Sequence, residues 1–226
     1  LDCAEASGAA VVGPLTCEGD FNTIHFAGGE VTVSEEQENG ATVRHLRDRM
    51  YLAQRKVEDV RGQLKRAQCS LTEYHCVLVR RDSLERIGGL DPMMLSTREH
   101  VDLCLAIMES GDTVWFEPES VVCFLGTTPL KRSDLEFYCL RWSDDWQLRS
   151  LEHFRDKWHL ADDEFFWRRL AKLDWRRRTY VIGPIARRLS LGRGSKRLER
   201  ALVPLEHRVN AWIARRNAHA RPQAPA

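Results

Sequence analysis

Apolar and polar positions follow two rhythms along this chain. The run Ala9-Ala10-Val11-Val12, stopped by Gly13-Pro14, reads as a buried strand. Segments 22–27 and 30–34 flank Gly28-Gly29 as the arms of a hairpin. Residues 35–67 are polar and charged with weak helical periodicity, which predicts a long surface excursion or a loose helix. His75-Cys76-Val77-Leu78-Val79 reads as a second buried strand. Arg81 to Ile87 predicts a short helix, with Asp82 or Ser83 near its start and Gly88-Gly89 as its stop. Thr97 to Ser110 predicts a longer helix capped by Thr97, with Val101, Leu103, Leu105, Ile107 and Met108 as apolar positions and Gly111 as its end. Strands follow at 113–116 and 120–124, split by Glu117-Pro118. A helix starting at Ser133 runs with breaks to about Trp158. The remainder reads as helical and basic, punctuated by Gly183-Pro184, Gly192 and Pro204, and residues 221–226 read as a disordered tail. Strands and helices alternate as far as residue 124, so the expected class is α/β. There is no internal repeat.

Composition narrows the picture. The chain has 226 residues, 43% of them hydrophobic and 30% charged, enough to bury a core and too balanced for wholesale disorder. No run approaches the ~18 apolar residues of a membrane span. The start, Leu1-Asp2-Cys3, has neither a Met nor a signal pattern and reads as the middle of a protein. Seven cysteines without a CxxC pair argue for reduced structural thiols, several inside apolar runs (Cys76, Cys123), rather than for disulfides or zinc. The net charge of +1 hides an asymmetry: residues 167–226 carry 16 Lys/Arg against 3 Asp/Glu, so the rest is acidic. An acidic domain joined to a basic region suggests two tasks.

The densest signal lies between residues 75 and 126, HCVLVRRDSLERIGGLDPMMLSTREHVDLCLAIMESGDTVWFEPESVVCFLG. In order and with near-constant spacing it resembles the second half of the family 2 glycosyltransferases. Their pattern is an apolar strand ending in RR, then GGFDE, then EDVDLCLR, then a strand closing on P-E-A-V-V-Y-H. The resemblance covers roughly residues 9–160. Tyr138-Cys139-Leu140-Arg141-Trp142 is similar to the Q-x-x-R-W motif of processive members, with Tyr138 in place of Gln. It implies a partial GT-A domain over 1–160, lacking its N-terminal nucleotide-binding half, then a basic helical extension over 161–220. It also implies an inverting transferase of the hexosyltransferase type, as in polysaccharide biosynthesis. The donor would be a nucleotide-diphosphate sugar and the acceptor a carbohydrate or a lipid-linked saccharide. The intact enzyme would use a divalent metal, Mn or Mg; none is expected in this fragment, and no residue here is assigned as a metal ligand. The alternative is a non-catalytic module that recognises carbohydrate or a partner protein.

Three departures bear on the chemistry. The family's catalytic Asp corresponds to His100, the family's His after the last strand to Phe124, and the chain contains no D-x-D. This fragment is therefore expected to be inactive alone. An inverting displacement needs one base to take the acceptor hydroxyl's proton, and His, Glu or Asp can serve. Neutral imidazole, with an ordinary pKa of ~6.5, suits that work near pH 7. His100, Glu99 and Asp102 are the catalytic candidates. Glu99 and Asp102 are i,i+3 neighbours on a helix, while His100 points about 100° away from Glu99. The resemblance places Gly88, Gly89, Asp91, Arg141 and Trp142 around the acceptor. An Arg fork can grip a diphosphate and a Trp face can stack on a sugar.

Arginines and aromatics alternate through residues 165–216. Such basic amphipathic helices suit an anionic membrane surface and a protein peripheral to the inner, cytoplasmic face. Equally, they suit a solvated bundle. No helix-turn-helix, zinc or RNA-binding motif supports a nucleic-acid partner.

Overall fold

The computed structural model describes residues 1–38, 40–125 and 131–217. It is a mixed α/β protein that divides into two compact units. Among the described residues, the first comprises 1–91 and 98–125 and the second 92–97 and 131–217. Residues 131–160, assigned from sequence to the transferase-like part, thus lie with the basic helices.

The first unit runs Asp2–Ser7 (α1), Val11–Glu18 (β1), Ile24–Phe26 (β2), Gly29–Glu38 (β3), Ala41–Met50 (β4), Val57–Val60 (α2), Ala67–Cys69 (β5), Leu78–Val79 (β6), Arg81–Arg86 (α3), Glu99–Glu109 (α4) and Val114–Phe124 (β7). Its main sheet has the order β2-β1-β7-β5, with β6 also on β1. Strands β1 and β7 are parallel; the other pairs are antiparallel. Parallel strands buried on both faces read as unbroken apolar runs, and β1 is buried from Val11 through Cys17. Leu15, Cys17, Ile24, Ala27, Val60 and Phe116 form one core cluster, and Cys3, Ala9 and Val12 another. A buried aliphatic side chain is worth about 1.5–3 kcal/mol.

Pro14 sits inside β1, where a missing N–H would normally break a ladder. It lies in a gap: β6 pairs with Val11–Val12, β2 with Thr16–Cys17, and β7 slips in register just there, Pro14 facing Glu117 and Leu15 facing Val121. The expected break at Glu117-Pro118 is therefore a bulge within one strand. Glu117 accepts a hydrogen bond from Arg66 Nε (2.6 Å) at the bulge.

Four local expectations are corrected. Gly28-Gly29 does not close a hairpin: β2 pairs with β1, β3 pairs with β4, and Gly28 (φ 77°) carries the chain between them. A Cβ on Gly28 would lie 3.2 Å from Phe116. The strand read at 30–34 continues to Glu38 and pairs with Ala41–Met50, so the part of the ribbon that lies within 35–67 is strand and not a loose helix. Glu38 pairs with Ala41 across a two-residue connection, and the sequence there, Asn39-Gly40, is the preferred hairpin dipeptide. The 75–79 strand shrinks to β6, and Cys76 is exposed rather than buried. Helix α4 is preceded by Arg98 in left-handed conformation (φ 70°) rather than capped by Thr97.

The second unit is helical: Leu135–Arg141 (α5), Asp144–Lys157 (α6), Glu164–Leu170 (α7), Trp175–Arg177 (α8), Gly183–Leu189 (α9) and Lys196–Arg216 (α10). Ser143, Asp163 and Ser195 cap α6, α7 and α10 by accepting backbone N–H bonds. A π-helical turn over Arg178–Ile182 leads into α9, so Gly183-Pro184 opens a helix, with Pro in the first turn where its absent N–H costs nothing. Pro204 lies inside α10 and does not end it; Asn210, Ile213 and Ala214 are buried beyond it. Arg177 is fully buried. It donates to Glu206 (2.6 Å), Asp144 (2.8 Å) and the Trp142 carbonyl, while His207 bridges Asp144 and Asp174. No helix among the described residues is long and apolar enough to cross a membrane. The tail at 221–226 lies outside the described residues.

Candidate functional site

Glu18 and Phe124 end the two parallel strands on the same side of the sheet, and residues gather there from three further segments. In open α/β sheets, the carboxyl ends of parallel strands are where ligands bind. His25 enters from β2. Glu73, Tyr74 and His75 come from the segment between β5 and β6, and His100 from the first turn of α4.

The 71–75 segment reaches this place because β1 lets it pass. A Cβ on Gly13 would fall 2.0 Å from Thr72 Oγ1, so only glycine allows Thr72 to lie across the strand. Thr72 N in turn donates to Cys104 Sγ of α4 (3.4 Å), and the Tyr74 hydroxyl donates to the Glu99 carbonyl (3.0 Å). Arg98, just before α4, donates to Asp48 of β4 (2.7 Å). These contacts hold α4 against the 71–75 segment and against β4.

Glu73 is the hub. Its Oε2 lies 3.0 Å from His75 Nδ1 and 3.8 Å from His25 Nε2. The two imidazoles meet edge to face at 4.8 Å, and the Phe124 ring packs on both, at 4.3 Å from His75 and 5.5 Å from His25. Behind His25, Nδ1 faces Glu18 at 3.9 Å, and Gln54 donates to that carboxylate (3.0 Å). Burial opposes ionisation of Glu73. The imidazoles of His75 and His25 beside the carboxylate, with His100 nearby, overcome it and hold the carboxyl well below the usual range.

His100 is partly buried, its ring 6.4 Å from Tyr74. Burial and the Arg98 guanidinium hold its pKa below the ordinary imidazole value, against the opposite pull of Glu73, Glu99 and Asp48. That direction favours the neutral imidazole, the form that can accept a proton. Burial pushes the Tyr74 phenol upward, so its hydroxyl stays a donor.

No protein-family model and no curated protein matches the chain.

The other sequence candidates fall elsewhere. Glu99 is the first residue of α4, its carbonyl held by Tyr74. Asp102 is 4% exposed, set among the buried residues of α4 rather than toward solvent. Gly88 and Gly89 take positive φ (82° and 89°) and end α3, with Gly89 N donating to Leu84 O. That is turn geometry, and Asp91 follows it half-buried. Arg141 and Trp142 belong to the helical unit. The guanidinium groups of Arg141 (5.1 Å) and Arg176 (4.1 Å) lie over the Trp142 ring, and its carbonyl accepts from Gln147.

Sequence reading missed His25, Glu73 and His75. The local signal was the E-x-H spacing of Glu73 and His75. Its partner His25 lies 48 positions earlier, and nothing in the linear pattern joins them. A second group, Glu36, Glu38 and His45, lies on the ribbon, largely exposed. A separate cavity of about 430 Å³, lined by Gly28, Arg49, Tyr51, Gln68 and Phe116 among others, shares no residue with the His100 cluster.

Proposed function

We propose that the first unit is the acceptor-side part of an inverting family 2 glycosyltransferase of GT-A type, with His100 as the base. The observation that carries this reading is a partly buried imidazole in the first turn of α4, where the resembling motif places its catalytic Asp. In the transfer, the acceptor oxygen bonds to the anomeric carbon while the bond to the nucleoside diphosphate breaks with its electron pair. The acceptor proton passes to His100. Glu99 is the alternative base.

The oxygen-ligated Mn or Mg site of the family does not fit these residues. The chain has no D-x-D, Phe124 stands in place of the His, and the grouped donors are two imidazoles and one carboxylate.

The test is transfer by the full-length gene product, supplied with UDP-, GDP- and dTDP-sugars and saccharide or lipid-linked acceptors. His100→Ala should lower kcat by ~10²–10⁴-fold and leave donor binding intact. If Glu99 is the base, Glu99→Gln shows the larger loss and the acid limb moves down toward ~4–5. Near-normal turnover in both variants, with the fold intact, overturns the assignment. No turnover with any donor in the wild type favours the second reading, a non-catalytic carbohydrate- or partner-binding module, which the changes at His100 and Phe124 support.

The second unit we propose to lie on anionic membrane at the cytoplasmic face, where lipid-linked acceptors would be found. Exposed Leu189, Leu191, Leu205 and Trp212 alternate with exposed Arg187, Arg188 and Arg193, which supports this reading.

A further inference from the structure

We infer that His25, Glu73 and His75 form a binding site for one divalent transition-metal ion of the zinc or cobalt class, with at least one position left for water or an anionic oxygen ligand. The inference does not depend on the transferase reading.

Geometry carries it. Both imidazoles address the same carboxylate oxygen, so three donors surround one point: 3.0 Å from His75 Nδ1 to Glu73 Oε2 and 3.8 Å from His25 Nε2 to the same atom. A tetrahedral ion with bonds of ~2.0–2.1 Å needs donors about 3.4 Å apart, between those two values. All three ligand atoms lie within 4.8 Å of one another.

The surroundings fit as well. Metal-bound histidines commonly direct their second nitrogen to a carboxylate, which orients the ring and strengthens the ligand. His25 Nδ1 faces Glu18, itself fixed by Gln54. Phe124 covers one side of both imidazoles, which excludes water there. His75 is exposed and leaves the other side open. Two imidazoles and one carboxylate form the donor set of open, three-ligand zinc sites and of the facial triads of non-haem iron; magnesium prefers all-oxygen surroundings. One carboxylate against a dication leaves a net positive centre, which suits a phosphate or carboxylate in the remaining position. Cysteines do not share in the cluster: Cys123 Sγ donates instead to the Asp20 carbonyl (3.3 Å).

The test uses the whole chain, stripped with chelator and titrated separately with Co²⁺, Zn²⁺ and Mg²⁺. The expected result is one equivalent of Co²⁺ and of Zn²⁺ with Kd at about 1 μM or below. Mg²⁺ should not compete at equal concentration. The visible Co²⁺ spectrum should show nitrogen and oxygen ligands without a near-ultraviolet thiolate band. His75→Ala, on an exposed turn, and the isosteric Glu73→Gln should each weaken Co²⁺ by at least the ~10–100-fold that loss of an outer-shell partner costs. His45→Ala, which disrupts the ribbon group, should leave the affinity unchanged. Circular dichroism on each variant confirms folding. Absence of binding to the wild type, a thiolate band, binding insensitive to both His75→Ala and Glu73→Gln, or loss in His45→Ala overturns the inference.

Discussion

Two ionic clusters, one in each unit, use much the same residue types to opposite ends. Around Arg177 the cation itself is closed in: the guanidinium is fully buried and its N–H groups are taken by Glu206, by the more exposed Asp144 and by a backbone carbonyl, while Asn210 accepts from Asp144 N (3.3 Å) and donates to the Cys139 carbonyl (2.8 Å). Around Glu73 the charges stay partly open. The side chains of His25, Glu73 and His75 are 23%, 20% and 26% exposed, and two imidazoles converge on one oxygen. A buried charge with all its valences filled specifies a fold and has nothing left to offer a ligand. A half-open one, with more donors at one point than a simple ion pair needs, does. The comparison teaches that the count and direction of donors, more than the presence of charge, separates scaffold from site.

The largest effect that sharpens this contrast is on stability. Arg177→Ala leaves the largely buried Glu206 without its partner, while Asp144 keeps His207, and should cost about 3–5 kcal/mol in urea unfolding. Glu73→Gln should cost under ~1 kcal/mol, as befits partly exposed ion pairs. Equal losses would erase the distinction. Next comes Gly13→Ala. The methyl must displace Thr72, so ~1–3 kcal/mol should be lost, and histidine NMR should show His25, His75 and His100 all perturbed. A silent Gly13→Ala would detach the 71–75 segment from β1. Of similar size is the membrane effect: reversing Arg187 and Arg188 to Glu should weaken co-sedimentation with anionic vesicles by about 2 kcal/mol or more, at ~1 kcal/mol per basic residue. Vesicle binding equal to wild type removes the membrane reading.

The smallest effect is a slope. His100 binds its proton less readily folded than unfolded, so the unfolded chain holds more protons between the two pKa values. Stability should therefore rise with pH up to about 6.5 and level off above it. Glu73 acts lower down: its contribution is complete above the ordinary carboxylate pKa and is lost as pH falls below ~4.3. His100→Gln should flatten the first rise and leave the second. If the wild-type curve is already flat from pH 5 to 7, His100 is not held neutral by its surroundings.

Much of the architecture was legible in the sequence, and the failures have physical causes. β1, α3, α4 and the turn after it were readable because apolar runs, stop glycines and helical spacing are local signals. Beyond residue 34, where the first arm was read as a strand, the ribbon was missed because its strands carry their charges on both faces. Glu30, Glu35 and Glu38 meet Arg49, Arg44 and His45 across the pair, which erases the alternation that marks a half-buried strand. Asn39-Gly40 was the signal that could have found it. His100 was legible only through the ordered motif around it. His25 and Glu73 were not, since their meeting depends on Gly13 letting one segment cross another, a tertiary fact that no periodicity records.

The β3–β4 ribbon has a consequence for the protein's behaviour in crowded solution. Its two ten-residue strands pair with each other and, beyond the Gly29 bridge to Leu71, with no other strand among the described residues. Two open edges of that length are templates for a neighbouring chain. The charges guard them: β3 carries Glu and β4 carries Arg, so a copy that docks β3 on β3 or β4 on β4 meets like charges, which repel. Colloidal stability is thereby written into the ribbon's surface. Replacing Arg44, Arg47 and Arg49 by Val would leave the hairpin's own backbone bonds in place and turn a solitary ribbon into the seed of an intermolecular sheet.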